Sequence, residues 1–129
     1  MPDWLAVGAG GVMGTFLRAW STLIAAPVVG WEAWATVGGN LVGAFILGYV
    51  AGAFLRHSPE GSPWHLFLST GVLGSFTTFS ALAVDLLHFA DGDSAAAGGL
   101  YLLLSIPGGI VAALLGLALG GVWGGGRPA

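Results

Sequence analysis

The sequence contains no cysteine and no lysine, and little charge of either sign. Without cysteine there are no disulfides, no thiolate metal sites and no cysteine nucleophile. The charged side chains are Arg18, Arg56 and Arg127 against Asp3, Glu32, Glu60, Asp85, Asp91 and Asp93, a net charge of −3. Charged residues make up 7% of the chain, against roughly 25% in a soluble domain, so it cannot cover a water-facing surface. That excludes an ordinary cytosolic enzyme and, with 56% hydrophobic residues, a disordered protein. No basic patch is present to meet phosphate, which excludes nucleic-acid binding. No Ser–His–Asp or zinc-ligand set is apparent either. His57 and His65 fall in or beside a connection and His88 near the end of an apolar run, as interfacial polar residues do.

What the chain does have is apolar length. Four runs, at about 5–26, 34–55, 64–89 and 95–123, each reach the ~20 mostly apolar residues that a spanning helix needs. The expected fold is an all-α membrane protein with four transmembrane helices in a single transmembrane domain over 1–129. The first run is not expected to be a cleaved signal peptide, because it lacks a basic start and carries Arg18 inside it. The connections at 27–31, 57–63 and 91–94 are short and hold Pro, Gly, Asp and Ser. Trp31, Trp34, Trp64 and Trp123 lie close to run ends, where amphipathic rings favour the membrane interface. Arg56 and Arg127 fall on one side of the membrane and Arg18 toward the other, a weak bias that permits insertion in either orientation.

The 24 glycines are not scattered at random: Gly10/Gly14, Gly39/Gly43, Gly48/Gly52, Gly116/Gly120 and Gly120/Gly124 are all G-x-x-x-G pairs. Such faces let helices approach closely in lipid. Their number exceeds what one small bundle needs, and a homo-oligomer is expected on that ground.

Polar groups inside a bilayer are costly and point to function. The third run reads Gly71-Val72-Leu73-Gly74-Ser75-Phe76-Thr77-Thr78-Phe79-Ser80 at mid-depth. Two glycines, four hydroxyls and adjacent β-branched residues make a poor helix. A break is expected there; the competing expectation is a continuous helix whose threonines bond back four residues. Thr36 and Asn40 share one helix face, as do Tyr101 and Ser105. Arg18 and Asp85 are the charges nearest the bilayer. No carboxylate stands in the middle of runs one, two or four, so a proton-coupled transporter lacks its relay.

These residues resemble those of the bacterial fluoride channels, the Fluc or CrcB family. Gly10-Gly11-Val12-Met13-Gly14-Thr15-Phe16-Leu17-Arg18 is similar to the family's GGxxGxxxR opening. Residues 39–48, GNLVGAFILG, are similar to its NxxGxFxxG second span, and the run from Gly71 to Ser80 carries the TTFS signature of its third. The resemblance implies an antiparallel, dual-topology dimer in the bacterial inner membrane, with two pores between the subunits and a third helix broken at mid-membrane. It implies a structural, untransported sodium ion held by backbone carbonyls, here those of Gly74 and Thr77. It places Asn40, Thr36, Phe79, Ser80, Tyr101 and Ser105 on the fluoride pathway, and Arg18 and Asp85 as vestibule or interface charges. The implied partners are the fluoride ion, the lipid bilayer and a second copy. The implied activity is passive export of fluoride, not enzymatic catalysis.

Two positions depart from the family pattern. Leu82 stands where a second pore-facing phenylalanine is usual, and Gly109 where a second hydroxyl is common. Loss of these groups makes one subunit of a heterodimeric channel an alternative. The substitution Leu82→Phe is expected to speed conduction. A small multidrug-type exporter, also of four spans, would need a glutamate in the first run, which has none. A non-transporting assembly subunit would not need Asn40 or the TTFS run at mid-depth.

Overall fold

The computed structural model describes residues 2–29, 32–57, 62–92 and 95–123, and these are all helix or short connection, with no strand among them. Trp31, Gly124, Arg127 and residues 58–61, 93 and 94 lie outside the described residues. Helix α1 runs Asp3–Val29 and α2 Glu32–His57. The third unit is composite: α3 (Pro63–His65), a π-helical segment (Leu66–Leu73), α4 (Gly74–Phe76) and α5 (Phe79–Asp91). Helix α6 runs Ala95–Trp123.

Local chemistry sets several of these limits. Ser62 caps α3, its hydroxyl accepting from the His65 N–H at 3.3 Å, and Pro63 occupies the first turn, where its missing N–H leaves nothing unpaired. Thr78 caps α5 in the same manner, accepting from the Ala81 N–H at 3.2 Å. At Gly92 the chain turns extended and α5 stops.

Three segments, Glu32–Ala53, Pro63–Asp91 and Ala95–Gly121, are long and apolar enough to cross a membrane. At 27 residues, α1 has the length, about 40 Å at 1.5 Å per residue. Arg18 and the glycines at 8, 10, 11 and 14 dilute its apolar content, and it is not among the three. Large apolar side chains lie mostly on the outside, including Val12, Trp20, Leu23, Leu87, Leu103 and Leu114. This is the arrangement for a lipid surround, where burying apolar area between helices gains nothing.

Close approach of backbones therefore carries the packing. A Cβ added at Gly48, Gly52, Gly116 or Gly120 would overlap the facing backbone between α2 and α6. One at Gly10 or Gly14 would overlap the backbone of Phe67 or Val72 in the π-helical segment. At Gly71 an added Cβ would lie 2.8 Å from the Gly10 Cα. Of the glycine faces assigned above to an oligomer, those at Gly10/Gly14, Gly48/Gly52 and Gly116/Gly120 are thus consumed within the chain. They pack its own helices, and the expectation of an oligomer needs other support.

A compact core closes one end. Ala33, Val37, Leu82, Phe89 and Tyr101 are buried together, with Trp34, Leu41, Leu86 and Ala97 against them. Trp34 meets Phe89 and Tyr101 edge-on, with ring centroids 6.2 and 6.0 Å away. Such pairs contribute about 0.5–1.5 kcal/mol beyond their area. Trp34 is partly buried against this core, while Trp64 is exposed. Leu82 is likewise a core residue, 6% exposed, and does not occupy an open pore wall within this subunit.

Candidate functional site

Helical dihedrals lapse between α4 and α5. Thr77 adopts φ −78°, ψ 147° and Thr78 φ −142°, ψ 126°, both extended. Thr77 also bonds back, its N–H and hydroxyl both donating to the Leu73 carbonyl at 3.1 Å. A threonine bonded back to the preceding turn thus stands at the point where the helical dihedrals lapse.

Asn40, on α2, meets the unwound segment. Its Nδ2 donates to the Thr78 carbonyl at 3.0 Å, and its Oδ1 accepts from the Thr78 N–H at 2.8 Å. In an unbroken helix that N–H would reach the carbonyl of Gly74. Beside this contact is a cavity of about 20 Å³ lined by Arg18, Ser21, Thr22, Thr36, Asn40, Phe76 and Thr78, with Ala35 and Gly39. A space of this size holds about one water molecule, or an ion of similar radius.

Arg18 gives the cavity its charge. Its Nε is buried and has no hydrogen-bond partner. A buried donor left without a partner is costly, and an anion beside it relieves that cost. Thr36 lines the same cavity, but its hydroxyl donates to the Glu32 carbonyl at 3.1 Å and must turn to face an ion.

The other expected site residues fall in different places. Tyr101 is fully buried and donates its hydroxyl proton to Asp85 Oδ2 at 2.7 Å. A tyrosine has one O–H donor, and here it is committed to a carboxylate. Ser105, one turn along α6, has a buried Oγ with no partner. Phe79 is 76% exposed; Ser80 is exposed, with its Oγ 3.1 Å from the Thr78 Oγ1. Gly74 is exposed as well.

The structure thus joins Arg18, Thr36 and Asn40 in one cavity, pairs Asp85 with Tyr101, and turns Gly74, Phe79 and Ser80 outward. Phe76 and Thr78 belong to the cavity and were not singled out from the sequence. Thr78 carried a signal, as an intramembrane hydroxyl in a poor helix former. Phe76 carried none beyond its place beside the paired threonines.

Apolar outer faces, glycine-mediated helix packing and a polar cavity beside an unwound turn define a multi-pass helical membrane protein. The family described as "CrcB-like protein, Camphor Resistance (CrcB)" matches residues 5–117, and the chain belongs to it. It is 37% identical to a protein of Rhizobium meliloti (strain 1021) over 89% of this chain and 93% of the relative. It is 36% identical to one of Erythrobacter litoralis (strain HTCC2594), over 89% of each. A protein of Allorhizobium ampelinum is 34% identical over 93% of this chain and 97% of its own length. All three carry the name "Fluoride-specific ion channel FluC".

Proposed function

We propose that this protein is a fluoride-selective channel of the bacterial inner membrane that lets fluoride leave the cell passively. It is a channel and not an enzyme. Beyond the naming of its relatives, the observation that carries the reading is the cavity in which Arg18, Thr36 and Asn40 meet unwound Thr78. Fluoride is small and strongly hydrated, so a pathway must replace its water with donors that hold without trapping. The Thr36 hydroxyl and the second N–H of Asn40 are such neutral donors, Arg18 adds positive charge beside them, and an aromatic edge, as on Phe76, is weakly positive. Ser105, Tyr101, Phe79 and Ser80 continue the pathway in this reading. Tyr101 becomes available to an anion only when its hydroxyl leaves Asp85.

The active form is an antiparallel dimer of four-span subunits, α1 included, with the third helix broken at mid-membrane. Exposed Gly74, Phe79 and Ser80 beside an unwound turn support it. Non-helical backbone at membrane depth is tolerated only against protein or water, and a second copy supplies the protein. A sodium ion fits the same place. With the Thr78 N–H drawn to Asn40, the Gly74 carbonyl lacks its usual donor, and it and the Thr77 carbonyl are the oxygens that would hold the cation. Its charge would favour an anion nearby.

Purified protein in liposomes loaded with fluoride tests the proposal. Fluoride release well above that of protein-free vesicles is expected, with chloride retained. Release no faster than from empty vesicles overturns it.

A further inference from the structure

Asn40 engages Thr78 in an unusual manner. One carboxamide takes both backbone groups of one extended residue, at 3.0 Å on the carbonyl and 2.8 Å on the N–H. That is the pairing a neighbouring β-strand residue gives, supplied here by a side chain 38 positions away on a helix. The remaining polar group of Thr78 is also committed, its Oγ1 accepting from the Ala81 N–H and lying 3.1 Å from the Ser80 Oγ. Thr78 is therefore fixed on every side, and so are the directions in which Phe79 and Ser80 leave the unwound turn.

We propose that Asn40 is a positioning residue, a splint that holds Thr78 extended and thereby sets the conducting geometry of residues 77–80. The proposal rests on the fluoride-channel reading only for its functional consequence. Chemistry selects the residue. The pairing needs one donor and one acceptor on a short planar stem. Aspartate offers two acceptors and repels the Thr78 carbonyl. Serine reaches one group, and glutamine carries an extra methylene. A residue whose sole task was to touch the ion would need only the N–H.

Replacing Thr78 by its α-hydroxy acid analogue tests this. The substitution turns the N–H that Asn40 Oδ1 accepts into an ester oxygen and leaves every side chain in place. It is combined with Asn40→Ala in a double-mutant cycle on fluoride release from liposomes. Each change alone is expected to slow release about tenfold or more, and the two together no more than the worse one. Near-normal release by the ester protein, or losses that multiply, would overturn the splint and leave Asn40 as an ion contact. Amide exchange provides a readout independent of fluoride. In Asn40→Ala, or in Asn40→Ser if the alanine protein does not fold, the amide at 78 should exchange at least tenfold faster. Unchanged exchange overturns the splint. If the unmodified protein releases no fluoride, the channel reading fails, and exchange alone decides on the splint.

Discussion

Tyr101, a fully buried ring, donates its hydroxyl proton to Asp85 at 2.7 Å. Removing either partner strands the other, which costs about 1–3 kcal/mol for a buried group. Asp85→Ala and Tyr101→Phe should therefore each lower the melting temperature in detergent. The double variant should lose less than the sum, with a coupling of about 1 kcal/mol or more. Simple additivity would mean that the bond contributes nothing in solution. Leu82 is a second test at this scale. With 6% of its surface exposed, it is packed within the core, and overpacking typically costs about 1–3 kcal/mol. Leu82→Phe should lower the melting temperature and bring no gain in fluoride release. A faster variant of unchanged stability would restore the expectation drawn from the sequence.

Among the helices, glycine position decides what substitution does. A Cβ at Gly48 would meet the backbone of Ala113 and Leu117, which cannot move aside as a side-chain tip can. At Gly38 nothing lies within 4 Å. Gly48→Ala should accordingly destabilise by about 1–3 kcal/mol. Gly38→Ala should be neutral or stabilising by up to about 1 kcal/mol, because alanine stiffens the unfolded chain and favours helix. Thermal unfolding of the two proteins side by side checks this, and equal shifts would contradict the α2–α6 packing. The four-residue spacing of these glycines was legible in the sequence as a packing signal. Which helix each face meets was not, since G-x-x-x-G serves a neighbour in the same chain as well as one in a second copy. The poor helical character of 71–80 was legible for a local reason, being written in adjacent residues. The π-helical turn at Leu66–Leu73, which packs against Gly10 and Gly14 of α1, was not.

At the scale of the whole molecule, the exposed turn around Phe79 and Ser80 asks for a covering partner. The native chain has no cysteine, so Ser80→Cys provides a single reporter. In membranes, a short bis-thiol reagent should convert it to a covalent dimer, while Leu103→Cys on the outer face of α6 should stay monomeric. No dimer from Ser80→Cys would place the turn against something other than a second copy. Tags at the C-terminus should be reachable from both faces of the membrane. Labelling from one face alone would mean fixed topology, and would favour pairing with a related, oppositely oriented subunit.

Composition by itself determined the solvent of this protein: with 7% charge and long apolar runs, no folding of the chain could satisfy water on its surface. Local propensity marked 71–80 as the stretch least suited to helix, and spacing put Thr36 and Asn40 on one face. Tertiary structure alone decided the partners. It brought Asn40 to both backbone groups of Thr78, gave Tyr101 to Asp85, closed the core over Leu82 and left the Arg18 Nε without a partner beside a small cavity. The reason is physical. Burial cost and helix propensity act over a few neighbouring residues and can be read along the chain. Hydrogen bonds between residues far apart in the chain depend on how helices approach, which glycines on several helices set together.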